Sequence, residues 1–183
     1  MEPVRCFFCL PLPDALAADM AAWIQSARKI MPRARWVSRG SLHVTLRFCG
    51  EIPQQTVQRL ASEAEGELAR ELTPPVSLRI AGTGTFGRPP RVLWAGLEGE
   101  TDRLSRLNRL LEQLCRSAGL DPECRGFAPH LTLARFPAPP AKTPLPAWNL
   151  SGRLWQADRV IFMRSRLTPA GPRYSPIKIY GAD

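Results

Sequence analysis

His43 and His130 are the only two histidines among the 183 residues. Each is followed by an apolar residue, then threonine, then leucine. The first lies in "SLHVTLRFCG" (Ser41–Gly50) and the second in "FAPHLTLARF" (Phe127–Phe136). The chain holds 9 Thr and 23 Leu. On that composition, both histidines meet Thr at +2 and Leu at +3 with odds of roughly 1 in 26,000, before discounting for a pattern noticed first. Coincidence is a weak explanation even after the discount.

On a strand, side chains alternate between faces. His43 and Thr45 then share one face, with Val44 and Leu46 on the other. His130 and Thr132 share a face opposite Leu131 and Leu133. The apolar pair anchors each strand, and the polar pair is left for chemistry. A lone strand histidine is more often structural than catalytic, but two in one frame flanking one substrate group can act as acid and base near neutral pH. The threonine hydroxyls can donate to the oxygens of a trapped anion. No Asp, Glu or Cys set accompanies the histidines, so neither a metal nor a cofactor is expected. In-line cleavage of a phosphodiester uses such a set: one His deprotonates water, the other protonates the departing oxygen. A 2′,3′-cyclic phosphate suits it, because its ring strain supplies part of the driving force. The residues alone leave open which histidine does which.

The elements that must position these motifs repeat with the same 87-residue spacing. "VRCFFCL" (Val4–Leu10) overlays "RVLWAGL" (Arg91–Leu97), and both read as strands. Asp14 and Thr101 overlay as helix N-caps. Behind them Ala17, Met20, Trp23, Ile24 and Ala27 match Leu104, Leu107, Leu110, Leu111 and Leu114, one face of an amphipathic helix in each copy. Pro32 and Gly119 stop the two helices. Strand–helix–strand therefore occurs twice, each unit ending on a His-x-Thr-Leu strand. Between and after the units, Pro53–Leu72 reads as a helix, Val76–Ala81 as a strand and Gly82–Pro90 as a loop. Pro137–Pro146 has too many prolines for a helix or inner strand. Leu150–Gln156, Arg159–Leu167 and Arg173–Tyr180 read as strands, the last two joined by a turn over Thr168–Pro172. An α+β domain of two similar lobes, spanning 1–183, is expected.

Formal net charge is +9, with 22 of the 25 basic residues arginine. A basic balance favours polyanions, and arginine's planar fork matches phosphate oxygens, although a general bias toward arginine explains the composition equally well. Five cysteines at irregular spacing imply no disulfide framework, which suits a reducing compartment. Cys6 and Cys9 point to opposite faces of one strand and read as buried apolar residues. The N-terminal apolar stretch is short and broken by Pro11 and Pro13, unlike a signal peptide, and no stretch is long enough for a membrane span. A cytoplasmic protein without a membrane partner is expected.

With "RCFFCLPLP", "LHVTLRFCGEI", "PPRVLW", "FAPHLTLARF" and "RSRLTPAGPRYSPI" in order, the chain resembles the 2H phosphoesterase superfamily over essentially its whole length. Its branch of RNA 2′,3′-cyclic phosphodiesterases, historically named 2′-5′ RNA ligases, is the one it resembles most. The resemblance implies a bilobal, pseudo-twofold fold with antiparallel sheets and both motifs lining a central groove. It implies hydrolysis of terminal 2′,3′-cyclic phosphates to 2′-phosphates; a monomer acting without a metal on RNA ends or small nucleotides is expected. It makes His43 the proton donor to O3′ and His130 the acceptor that activates water, with Thr45 and Thr132 holding the phosphate. Relatives often carry a helix after the second motif where this chain has its proline-rich segment. Ile177 stands where leucine is common.

Several further residues are candidates for substrate contact. Arg135 follows the second motif in the family's usual place, but strand parity puts it opposite His130. Arg47 has the parity of His43 and Thr45, but sits where the family varies. Arg91 and Arg125 lie near the motifs. Phe48 or Tyr174 can stack on a nucleobase. Trp23, Trp36, Trp94, Trp148 and Trp155 are expected in the core or between lobes. Other functions compatible with the same residues are 2′-5′ ligation by the reverse reaction, turnover of small cyclic nucleotides, and nucleotide or RNA binding without catalysis.

Overall fold

The computed structural model describes residues 2–138, 145–169 and 171–181. In chain order the elements are β1 (Val4–Pro11), α1 (Asp14–Ile30), β2 (Arg35–Trp36), β3 (His43–Ile52), α2 (Gln54–Glu71), β4 (Val76–Phe86), β5 (Val92–Gly99), α3 (Thr101–Ser117), β6 (His130–Arg135), β7 (Leu154–Ala157), β8 (Arg159–Thr168) and β9 (Gly171–Gly181). The strands pair antiparallel in one curled sheet, ordered β7-β4-β5-β6-β3-β1-β8-β9, with β2 added against β6. Its two halves, β7-β4-β5-β6 and β3-β1-β8-β9, meet where Val44 pairs with Leu131. Val44 and Leu131 are counterparts in the repeat, so a pseudo-twofold axis passes between them.

All three helices bury their apolar stripes in one cluster with the inward residues of both halves of the sheet. In β1 these are Val4, Cys6, Phe8 and Leu10. The alternate residues Phe7 and Cys9 point to the other face and join Ile161 in a second cluster. Cys6 and Cys9 thus lie on opposite faces, both buried. The face without helices is the one left for a ligand. Among the described residues no helix is long and apolar enough to cross a membrane.

Several sequence expectations change in detail. The helices begin one residue earlier than the capping pattern implies. Pro13 and Glu100 hold the N-cap positions, and neither Asp14 nor Thr101 makes a capping bond. Asp14 instead places its charge in the positive first turn of α1. The first strands are displaced from one another by 85 residues, not 87: His43 pairs with Pro11 and His130 with Gly96, and 96 − 11 = 85. The helices and the histidine strands keep the 87 spacing, so the two-residue difference is absorbed between strand and helix. Strand β4 runs on to Phe86 through most of the expected loop. Glycine is required there: a Cβ on Gly84 would stand 2.3 Å from the Trp94 ring lying against it. Strand β7 begins at Leu154, after a turn at Gly152 with φ of +80°. Most of the proline-rich segment Pro137–Pro146 lies outside the described residues.

Candidate active site

Strands β3 and β6 run side by side at the centre of the sheet, and each opens on its histidine. From the Val44–Leu131 pair, the antiparallel register sets His43 across from Thr132 and His130 across from Thr45. Residues directly opposite share a face. The two motifs therefore bring two imidazoles and two hydroxyls together on the face without helices.

Each imidazole is held in the same way. His43 Nδ1 is 2.8 Å from the Ser41 carbonyl, and His130 Nδ1 is 2.7 Å from the Ala128 carbonyl. A carbonyl only accepts, so both Nδ1 atoms carry hydrogen and donate it. Nε2 is then the nitrogen free to exchange a proton in each ring. Ser41 and Ala128 are themselves 87 residues apart, so the anchor belongs to the repeat. His43 Nε2 lies 3.1 Å from Thr45 Oγ1.

Burial is the main influence on His43, and it pushes the imidazole down to about 4. The hydrogen bond to Ser41 opposes this, while His130 and the Arg135 guanidinium push it lower. Without a ligand, the neutral ring is favoured at neutral pH.

Arg135 faces the groove, against its strand parity. Between Thr132, opposite Trp94, and Ala134, opposite Leu93, the register gains one residue, Leu133. This bulge buries Leu133 and Ala134 in succession and returns Arg135 to the histidine face. Strand β3 does the same: Thr45 pairs with Cys9 and Arg47 with Phe8, leaving Leu46 as the extra residue. Bulges next to functional sites re-aim side chains in this way. Here the bulge removes Arg47 from the groove. Arg47 is buried on the helix side, with its Nε 2.5 Å from Glu112 Oε2 in a contact bent away from hydrogen-bond geometry. It also donates to the carbonyls of Asp121, at 2.7 Å, and Phe48. Arg47 ties β3 to α3 and is not a groove residue.

The same bulge turns Phe48 to the groove side, where it packs against Phe7 and Cys9. Tyr174 also reaches the site, with its ring 5.4 Å from that of His43 and edge-on to it. The Arg91 guanidinium donates to the Pro137 carbonyl, at 3.4 Å, and Arg125 is exposed in the segment before β6. Trp23, Trp36 and Trp148 form an edge-to-face cluster and Trp155 is buried, as core residues should be. Trp94 differs, because it stands opposite Thr132 and so belongs to the groove face.

Two aromatic neighbours of the histidines escaped the sequence reading. Phe7 lies 4.9 Å from the His43 ring. Phe86 lies 4.9 Å from the His130 ring, edge-on, and is 39% exposed. The alternation of β1 is a signal for Phe7. Phe86 sits among glycines and prolines that read as a loop. Among the described residues no three His, Cys, Asp or Glu side chains converge as a metal site would require.

A duplicated antiparallel sheet with paired His-x-Thr strands on one concave face is the architecture of the 2H phosphoesterases. A profile of the 2′-5′ RNA ligase superfamily matches residues 12–168, and the chain belongs to that superfamily. An RNA 2′,3′-cyclic phosphodiesterase of Geobacillus stearothermophilus is 30% identical over 185 residues, covering 98% of this chain and 58% of that protein. The chain thus spans little more than half of that relative's length. A protein of the same description from Thermus thermophilus is 32% identical over 186 residues, covering 96% of this chain and 88% of that one. The crystal structure of E. coli LigT complexed with 3′-AMP superposes with a TM-score of 0.80 at 26% identity, covering 98% of each chain.

Proposed function

We propose that the chain hydrolyses RNA-terminal 2′,3′-cyclic phosphates to 2′-phosphates. The observation that carries this reading is the matched pair of imidazoles, each with Nδ1–H tied to the carbonyl two residues upstream and Nε2 left for proton transfer. The activity of the curated relatives supports it. In the reaction, His130 Nε2 takes a proton from water as its oxygen attacks phosphorus. The P–O3′ bond breaks, and His43 Nε2–H delivers a proton to O3′. Thr45 and Thr132 hold the non-bridging oxygens, with Arg135 beside them. Arg135 supplies a positive field where negative charge accumulates in the transition state.

The donor role requires His43 to be protonated, although burial favours its neutral form in the free protein. A phosphodiester anion bound beside the ring offsets that burial and attracts the proton. Binding therefore loads the acid. Both proton transfers run through imidazoles, so the reaction needs no metal.

The test is turnover of a 2′,3′-cyclic-phosphate-ended RNA in excess EDTA, with the product phosphate located by NMR. A 2′-phosphate formed at the untreated rate supports the reading; no product, or a 3′-phosphate, refutes it. The superfamily description favours one second reading, 2′-5′ ligation by reversal of the same steps. Supplying cyclic-phosphate and 5′-hydroxyl ends together distinguishes the two by their products. Tight 2′-AMP binding without hydrolysis of any cyclic phosphate would mark a binding module instead.

A further inference from the structure

Arg5 is a basic residue on the groove face that the mechanism leaves unused. It stands on β1 two residues before Phe7, which touches the His43 ring, so it shares the parity of Phe7 and Cys9. Its guanidinium carbon lies 4.4 Å over the Phe48 ring. A guanidinium held over a ring can still present N–H groups to an anion. Across β3 it is registered with Glu51, yet among the described residues Arg5 enters no ion pair. Its Nε–H is buried without a hydrogen-bond partner. Continuing the β1–β8 register from the Cys6–Arg164 pair sets Arg5 beside Ser165, which pairs in turn with Tyr174, the edge-on neighbour of His43. Arg5 is thus a preoriented cation on the same wall as His43, displaced along it.

We infer that Arg5 binds the phosphodiester immediately upstream of the terminal cyclic phosphate. It is a specificity-determining residue that favours RNA of two or more nucleotides over a mononucleoside cyclic phosphate. The inference rests on the function proposed above. The displacement fits: two strand residues separate Arg5 from Phe7, roughly 6.6 Å, comparable with the step between successive backbone phosphates. The guanidinium fork matches the two non-bridging oxygens of a diester, and a charge-assisted contact of this kind commonly changes affinity about tenfold.

The experiment compares kcat/KM for a mononucleoside 2′,3′-cyclic phosphate, the dinucleotide ending in the same cyclic nucleotide, and that dinucleotide with an uncharged methylphosphonate linkage. The wild type should prefer the natural dinucleotide about tenfold over both other substrates. Arg5→Ala should bring the dinucleotide-to-mononucleotide ratio close to one, mainly through KM, and Arg5→Lys should restore part of it. The slope of log(kcat/KM) against log salt for the dinucleotide should fall by about one in Arg5→Ala. Equal turnover of the natural and methylphosphonate dinucleotides by the wild type overturns the assignment. So does an equal loss on mono- and dinucleotide in Arg5→Ala. If Arg5→Ala does not fold, the methylphosphonate comparison on the wild type decides alone. Hydrolysis of neither cyclic phosphate by the wild type refutes the proposed function, and this assignment with it.

Discussion

Phe48 and Arg135 occupy equivalent places in the two halves of the sheet, 87 residues apart, each two positions past a bulged leucine. The repeat thus equips its two sides differently at one position: an aromatic ring packed against Phe7 and Cys9, and a cation near enough to His43 to push its imidazole down. A bulge inserted without loss of pairing is what brings both side chains round to the histidine face.

Arg135 should therefore matter to turnover. Arg135→Ala is expected to lower kcat/KM on a cyclic phosphate by about 100-fold, the usual scale for losing one preorganised charge partner of a transition state. Arg135→Lys should recover part of the loss, since it keeps the charge but not the fork. Steady-state kinetics on one oligonucleotide substrate check this; an unchanged kcat/KM would place Arg135 outside the site.

The histidines should behave as a unit. His43→Ala and His130→Ala are each expected to cost several orders of magnitude, on the order of 10³-fold or more, and the double variant little beyond either. Single-turnover rates with circular dichroism as a folding control make the comparison. Full activity in either single variant would falsify the proton-transfer scheme.

The pH dependence tests the paired-histidine scheme. In the free protein His43 is held down to about 4, chiefly by burial. The profile of kcat/KM reports the free enzyme, and that of kcat the complex. The active state carries one proton over the two imidazoles, so kcat/KM should follow a bell with one limb at about 4. In kcat that limb should lie at higher pH, because the bound anion raises the His43 imidazole. A kcat/KM profile without a limb near 4 would contradict the burial of His43. The same group affects folding. An unfolded histidine titrates near 6.5, so as pH falls the unfolded chain takes up a proton first. The associated stability is fully present above about 6.5 and is lost progressively down to about 4, at most about 3 kcal/mol. Urea unfolding of the wild type and His43→Gln across that range should show the loss only in the wild type.

Arg47 and Glu112 should matter to stability and not to turnover. Arg47 is 5% exposed, so Glu112→Gln leaves a buried cation with only carbonyl partners. A loss of about 3 kcal/mol is expected, read as a lower urea midpoint with an unchanged m-value. Arg47→Met should be milder, because it removes the charge as well. Its kcat/KM should stay within about twofold of wild type, consistent with Arg47 lying on the helix side. A 100-fold kinetic loss in a folded Arg47→Met would contradict that placement.

Much of the molecule is legible in the linear chain. Alternation and helical spacing are local properties, so both strand–helix–strand units, the faces of their helices and the parity of His43 with Thr45 follow from neighbours in sequence. The 87-residue repeat locates both motifs, and their residue types indicate the chemistry. What the sequence cannot show is where a strand gains a residue relative to its partner. Parity puts Arg47 in the groove and Arg135 outside it; one bulge in each strand reverses both placements. A bulge is a property of two strands in register, invisible in either strand alone. For the same reason, only the paired sheet shows the 85-residue offset of β1 and β5, the Trp94 ring lying against Gly84 and the edge-on approach of Phe86 to His130. The sequence by itself determined which residues recur and what they can do. The tertiary structure decided which of their neighbours face the same space, because that depends on pairing between segments far apart in the chain.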